Sequence, residues 1–135
     1  MVERPRQKSI VLILSRELSS KLATAAFVTD ERGDLVYFNE AAEELLGRQY
    51  AETAALAADE WGDLFSVQSL DGTSVPFEEM PAGIALLERR PTHSELCITG
   101  SDGVRRRIAV TALPLFAHAD ELVGVLSVFW PSPRG

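Results

Sequence analysis

The sequence is poor in the residues that build covalent or metal-held structure. It has one cysteine, Cys97, and two histidines, His93 and His118, in 135 residues. A single cysteine excludes an internal disulfide and a cysteine-rich zinc site, and it suits a reducing compartment. Basic residues are also short: 13 Lys and Arg stand against 20 Asp and Glu, a net charge of −7. Phosphate binding needs a basic face, so no nucleic acid is expected as a partner. Long apolar runs are missing. The run Ile10 to Leu14 is interrupted by Ser15, Arg16 and Glu17, which is too short for a secretory core or a membrane span. The expectation is a soluble, cytoplasmic protein with no membrane partner. The sequence has no internal repeat, no low-complexity segment, and no phosphate loop, metalloprotease motif or nucleophile elbow.

What is present is the composition of one ordinary globular domain, long enough to bury a core. Its charge is unevenly spread. Residues 1–21 hold five basic and two acidic side chains, net +3, which leaves net −10 on residues 22–135. The most informative stretch is Phe27 to Gly47, FVTDERGDLVYFNEAAEELLG. Phe27 to Thr29 reads as a strand. Asp30 to Asp34 is turn chemistry around Gly33, and Leu35 to Phe38 is a second strand of a hairpin. Asn39 stands where a helix N-cap is needed, Glu40 suits the positive end of that helix, and Gly47 suits its stop.

Around this unit the chain reads in order. Residues 1–8 are polar and basic, a loose tail. Ser9 is placed to cap a helix to about Leu22, with Ile10, Leu14, Leu18 and Leu22 at four-residue spacing and Val11 beside them. The segment IVLIL alone fits a strand equally well, and its polar continuation favours helix. Residues 48–63 are acidic (Glu52, Asp59, Glu60, Asp63) and read as one or two short helices ending around Trp61 to Phe65, with the carboxylates on a solvated face. A turn at Leu70 to Thr73 precedes Pro76 and Pro81. Pro81 opens a helix that runs to Arg90 before Pro91, with Ile84, Leu87 and Met80 as its apolar side. Three strands follow: Thr92 to Thr99, Val104 to Leu115 ending at Pro114, and Leu122 to Trp130. In the last, Leu122, Gly124, Leu126, Val128 and Trp130 share one face and Val123, Val125, Ser127 and Phe129 the other. Both faces are largely apolar, so both need a cover.

The order hairpin, Asn-capped helix, short helices, three strands resembles the PAS-domain family. The residues that carry the resemblance are Phe27-Val28, Asp30 with Gly33, Asn39, Ala41-Ala42 and Leu46-Gly47, supported by Asp71-Gly72, the pair Pro76 and Pro81, and the helix before Pro91. It implies an α+β PAS fold: a five-stranded antiparallel sheet with short helices on one face and an N-terminal helix on the other. Residues 1–22 are then a tail and amphipathic helix, 23–131 the PAS domain, and 132–135 a tail. The resemblance also implies a sensory or protein-interaction module rather than an enzyme, acting by small-molecule binding, dimerisation or contact with a signalling partner. The family's pocket lies between the inner sheet face and the helix before the third strand, where Trp61, Phe65, Ile84, Leu87, Leu96 and Ile98 are the candidate ligand contacts. The family pairs through an N-terminal helix, which makes Ile10, Val11, Leu14 and Leu18 the candidate interface of a homodimer. The bland alternative is a monomer with that helix folded on its own sheet.

Two alternatives stay open. One is a haem- or flavin-binding sensor. The helix before the third strand, PAGIALLERR, has no axial histidine, and the segment LAADEWGDLFSVQS has no flavin-reactive cysteine, so no cofactor and no metal is expected. The other is a small enzyme using His93 and Cys97, which share a strand face with Glu95 but have no evident orienting group or oxyanion site. Arg105, Arg106 and Arg107 alternate in direction along their strand, which favours surface pairs with Glu95 or Asp102 over an anion cradle.

Overall fold

The hairpin centred on Gly33 is the start of the fold in the computed structural model, which describes residues 3–49, 56–118 and 120–132. Strand β1 (Ala25–Asp30) turns into β2 (Leu35–Phe38) with Gly33 at φ 86°, the left-handed region that glycine enters at no steric cost. The Asp30 carboxylate accepts from the backbone N–H groups of Arg32 (2.9 Å) and Asp34 (3.1 Å) and holds the turn. Helix α2 (Glu40–Leu46) begins at the Asn39 cap and stops at Gly47, φ 69°. The carbonyl ends of α2 are satisfied from a distant turn: Ser101 donates its N–H to Leu46 O (2.9 Å) and its hydroxyl to Gly47 O (2.6 Å).

Helix α3 (Ala58–Leu64) and a short 3₁₀ turn (Phe77–Glu79) lead to helix α4 (Pro81–Glu88), with Pro81 in its first turn as expected. Helix α4 ends on Arg89, itself at φ 57°, two residues before Pro91. Strands β3 (Thr92–Thr99), β4 (Arg105–His118) and β5 (Glu121–Pro131) complete one antiparallel sheet in the order β2-β1-β5-β4-β3. Pro114 does not end β4, contrary to expectation. It pairs with Val125 two residues past Ala112, the last rung shared with β3, where β4 has a neighbour on one side only. An edge position tolerates the missing N–H.

The two faces of the sheet are covered differently. Helices α2 to α4 lie on the inner face over Ala25, Leu96, Ile98, Ile108, Val110, Val125 and Phe129. The outer face carries Ala26, Val28 and Leu126, packed against by Leu12, Leu22 and Val128. The expected alternation of β5 therefore holds for Val125, Leu126, Val128 and Phe129. Leu122 departs from it and packs with the inner cluster, beyond the irregular register around Phe116.

Helix α1 (Glu3–Ser20) covers the outer face. It begins well before Ser9, so residues 3–8 are helical rather than a loose tail; Pro5 falls in the first turn, where its missing donor costs nothing. It turns serines inward. Ser15 and Ser19 are buried, and the Ser19 hydroxyl bonds the Ser15 carbonyl at 2.6 Å. Small side chains let α1 come close: a Cβ on Gly124 of β5 would sit 3.2 Å from Leu12 and 2.2 Å from the Thr29 carbonyl. Met1, Glu52 and the part of the expected tail at 133–135 lie outside the described residues.

Asn39 ties these layers together. Its carbonyl oxygen accepts from Ala42 N–H and from Ala26 N–H (3.0 Å each), and its amide donates to Ser19 O (2.8 Å) and Thr24 O (3.0 Å). Losing an N-cap alone costs about 0.5–2 kcal/mol. Asn39→Ala also strands buried partners on β1 and at the end of α1, so it is expected to cost about 2–4 kcal/mol in urea denaturation, with Asn39→Ser, which keeps the cap, falling between. Gly83 has a second strict requirement, because a Cβ there would lie 1.8 Å from the Phe77 carbonyl oxygen. Gly83→Ala should lower stability by about 1–3 kcal/mol by forcing α4 off the 3₁₀ turn, read in the same titration.

Candidate functional site

Between the inner sheet face and the helices lies an apolar cavity of about 50 Å³. A water needs roughly 10–15 Å³ on this measure, so the space equals a few water-sized volumes. Its floor is Phe27, Leu96, Ile98, Ile108, Val110 and Phe129 of the sheet. The helical side supplies Leu46, Trp61, Phe65, Met80, Pro81 and Ala82. No lining side chain is charged, and its one polar group is turned away: the Trp61 indole N–H donates to the Gly33 carbonyl at 3.0 Å.

The hairpin positions this wall. The Asp34 carboxylate accepts from Ala58 N–H (3.2 Å) and the Glu60 carboxylate from Ala57 N–H (2.9 Å), so two acids satisfy the start of α3. That places Trp61 against Phe27 (centroids 5.3 Å apart) and edge-on to Phe77 (5.9 Å), while Phe27 also meets Phe129 at 5.8 Å. Phe27 and Phe77 are only partly buried, so this aromatic group forms a rim between the cavity and solvent.

Of the residues expected at the pocket, Trp61, Phe65, Leu96 and Ile98 line the cavity. Ile84 and Leu87 do not, and Leu87 is 61% exposed. The inward side of α4 is Pro81, Ala82, Ala85 and Leu86, and the short alanines let the helix sit close to the sheet. Leu87 follows Leu86 by about 100° around the helix and so faces water. Choosing side chains by size alone selected the wrong face of α4. The missed residues carried a signal: Ile108 and Val110 stand opposite Leu96 and Ser94 in the β3–β4 register.

The outer face of β3 holds His93, Glu95 and Cys97 without assembling them. His93 Nδ1 is 2.8 Å from Thr111 Oγ1, Glu95 pairs with Arg107 at 2.5 Å, and Cys97 is buried. His93 and Cys97 are four residues apart on an extended strand, about 13 Å, and do not form a nucleophile–base pair. The arginine cluster is engaged as surface pairs. Arg106 meets Asp102 at 2.9 Å, and its hydrogen bond, with that of Val104 N–H, holds the Asp102 carboxyl down to about 2. Arg107 binds Glu95, and Arg105 donates to Gln68 and to the Ser69 and Leu70 carbonyls. Among the described residues no three His, Cys, Asp or Glu converge as metal ligands, and no helix is long and apolar enough to cross a membrane.

The residues expected at a dimer interface sit on α1's far side. Ile10, Leu14 and Leu18 are exposed, together with Ile13, whereas Val11 is partly buried.

The sequence profile of the PAS family, described as PAS fold, matches residues 13–55. A search of curated proteins finds no match. Among solved structures, the PAS domain of the fruit-fly ELK potassium channel is similar with a TM-score of 0.69 at 11% identity, over 89% of this chain and 95% of that one. The PAS domain of a Colwellia psychrerythraea protein gives 0.65 at 16% identity, over 93% and 99%. The PAS domain of Bordetella pertussis BvgS gives 0.60 at 16% identity, over 90% and 84%. At these identities the structural likeness speaks for the fold alone. The profile falls on the hairpin and capped helix from which that fold is built: the chain has the PAS fold, and over residues 13–55 it is similar to the PAS-domain family.

Proposed function

We propose that this protein is a non-enzymatic sensory module that takes a small apolar ligand in the cavity under its sheet and pairs with a second copy through α1. PAS domains are a family of sensory signalling modules. The observation that carries the ligand reading is the cavity's wholly apolar lining behind an aromatic rim. Apolar walls favour an apolar guest, which loses little on leaving water. They favour haem or flavin less, because the polar parts of those groups would find no partner in the lining. The enzymatic alternative is disfavoured by the separation of His93 from Cys97 along β3.

The pairing reading rests on the exposed row Ile10, Ile13, Leu14 and Leu18. A contiguous apolar row of this kind on a surface helix marks an interaction site. A second copy offers the same row and closes on a twofold axis.

Two measurements test the halves separately. Toluene is expected to raise the melting temperature and to give a saturable calorimetric isotherm; absence of both sinks the ligand half. Sedimentation equilibrium at tens of micromolar should show a dimer for the wild type and a monomer for Leu14→Glu, whose side chain is exposed in the single chain, so that the substitution leaves the fold intact. A wild-type monomer overturns the pairing, and a variant that stays dimeric moves the interface off α1.

A further inference from the structure

Two hydroxyl groups in the floor of the sheet have no partner. Thr29 Oγ1 and Ser127 Oγ are buried, each in a residue with 0% exposure, and neither makes a hydrogen bond. Both lie on the inner face. Ser127 alternates with Val125 and Phe129, and Thr29 follows Ala25 and Phe27 at two-residue steps. A buried polar group without a partner is destabilising and calls for an explanation in ligand, water or strain.

Their neighbours locate them. Ser127 stands directly opposite Phe27, and Thr29 directly opposite Leu35; both of those partners line the cavity. Phe129, the next inward residue after Ser127, lines it as well. Neither hydroxyl lines the cavity itself; each stands beside a residue that does, Ser127 across from Phe27 and Thr29 across from Leu35. Phe27 is partly exposed at the rim, held by the Trp61 and Phe129 rings rather than by a closed wall. For a ligand oxygen to reach these groups the Phe27 ring must give way, and a polar subsite there requires that movement.

We infer that Thr29 and Ser127 are the polar end of the ligand site, and that its ligand is a neutral molecule with an apolar body and one oxygen that gives or takes a hydrogen bond. This rests on the cavity reading above and adds its polarity. Hydroxyls are neutral and act as both donor and acceptor, so they accept an alcohol or a carbonyl alike. No charged side chain lines the cavity, so a carboxylate or ammonium would be left unpaired in apolar surroundings. The orphan hydroxyls in the empty protein are then groups kept ready for the ligand oxygen, which is how a mostly apolar site gains orientation and selectivity.

Phenol and toluene are matched probes, alike in shape, with a hydroxyl in one where the other has a methyl. Calorimetric titration of the wild type and of the Thr29→Val/Ser127→Ala double variant separates the possibilities. Phenol is expected to bind the wild type about five- to ten-fold more tightly than toluene, after correction for their different hydration, and the double variant to lose that preference while keeping its toluene affinity. Toluene bound without any phenol preference, or a preference that survives in the double variant, overturns the polar subsite and leaves the cavity reading standing. Neither probe bound by the wild type overturns both. Thermal melts give an independent readout. Removing unpaired hydroxyls without changing shape should leave the empty double variant as stable as the wild type or more so. A clear fall in its melting temperature would show that the hydroxyls are already satisfied in the empty protein, and would overturn the inference.

Discussion

The structure depends on the side-chain amide of Asn39. An asparagine has one oxygen with two acceptor sites and one nitrogen with two donors, and here all four are used within 3.0 Å, on Ala26, Ala42, Ser19 and Thr24. The consequence is topological. The last turn of α1, the start of β1 and the first turn of α2 meet at one buried point, and those three pieces are far apart in their roles: outer cover, sheet and inner cover. Aspartate would present oxygen to two carbonyl groups, and serine would reach only the cap. The sheet could be assembled without this contact, but the two covers would not be referred to the same origin.

The hairpin, its Asn cap and its Gly stop were legible because each is set by local chemistry. Gly33 and Gly47 take left-handed dihedrals, and the Asp30 and Asn39 side chains bond backbone within a few residues. The five strands and the two-sided burial of β5 followed from alternation and from the family resemblance, whereas their order in the sheet was not read from the sequence. What was not legible depended on contacts distant in sequence. Pro114 reads locally as a stop and is tolerated because β3 has already ended. Leu87 reads as core and faces water because Ala82 and Ala85, which look less committed, are what the sheet can approach. The cavity was half legible for the same reason: Trp61, Phe65, Leu96 and Ile98 are large apolar residues on the expected elements, whereas Met80, Pro81 and Ala82 line it through backbone placement rather than size.

The polar surface follows a consistent logic. Each arginine of the β4 cluster is assigned to an acid or a carbonyl within its own hairpin or the neighbouring loop, so the run of three adds little long-range field. These pairs are solvent-exposed or nearly so, and pairs of that kind contribute little net stability. Their role is geometric. Arg106 and Asp102 shape the β3–β4 turn, and that turn in turn supplies Ser101 to the end of α2.

Helix α1 is built inside out. Ser15 and Ser19 face the sheet beside Leu12, whereas Leu14 and Leu18 face water. The helix adheres through Leu12, the small serines and the Ser19 carbonyl that Asn39 holds, and the greasy side it carries takes no part in that contact. The sheet beneath it is Ala26, Val28 and Leu126, all apolar. The Asn39 end therefore sets where the helix rests, and the helix's outer apolar side is left to water.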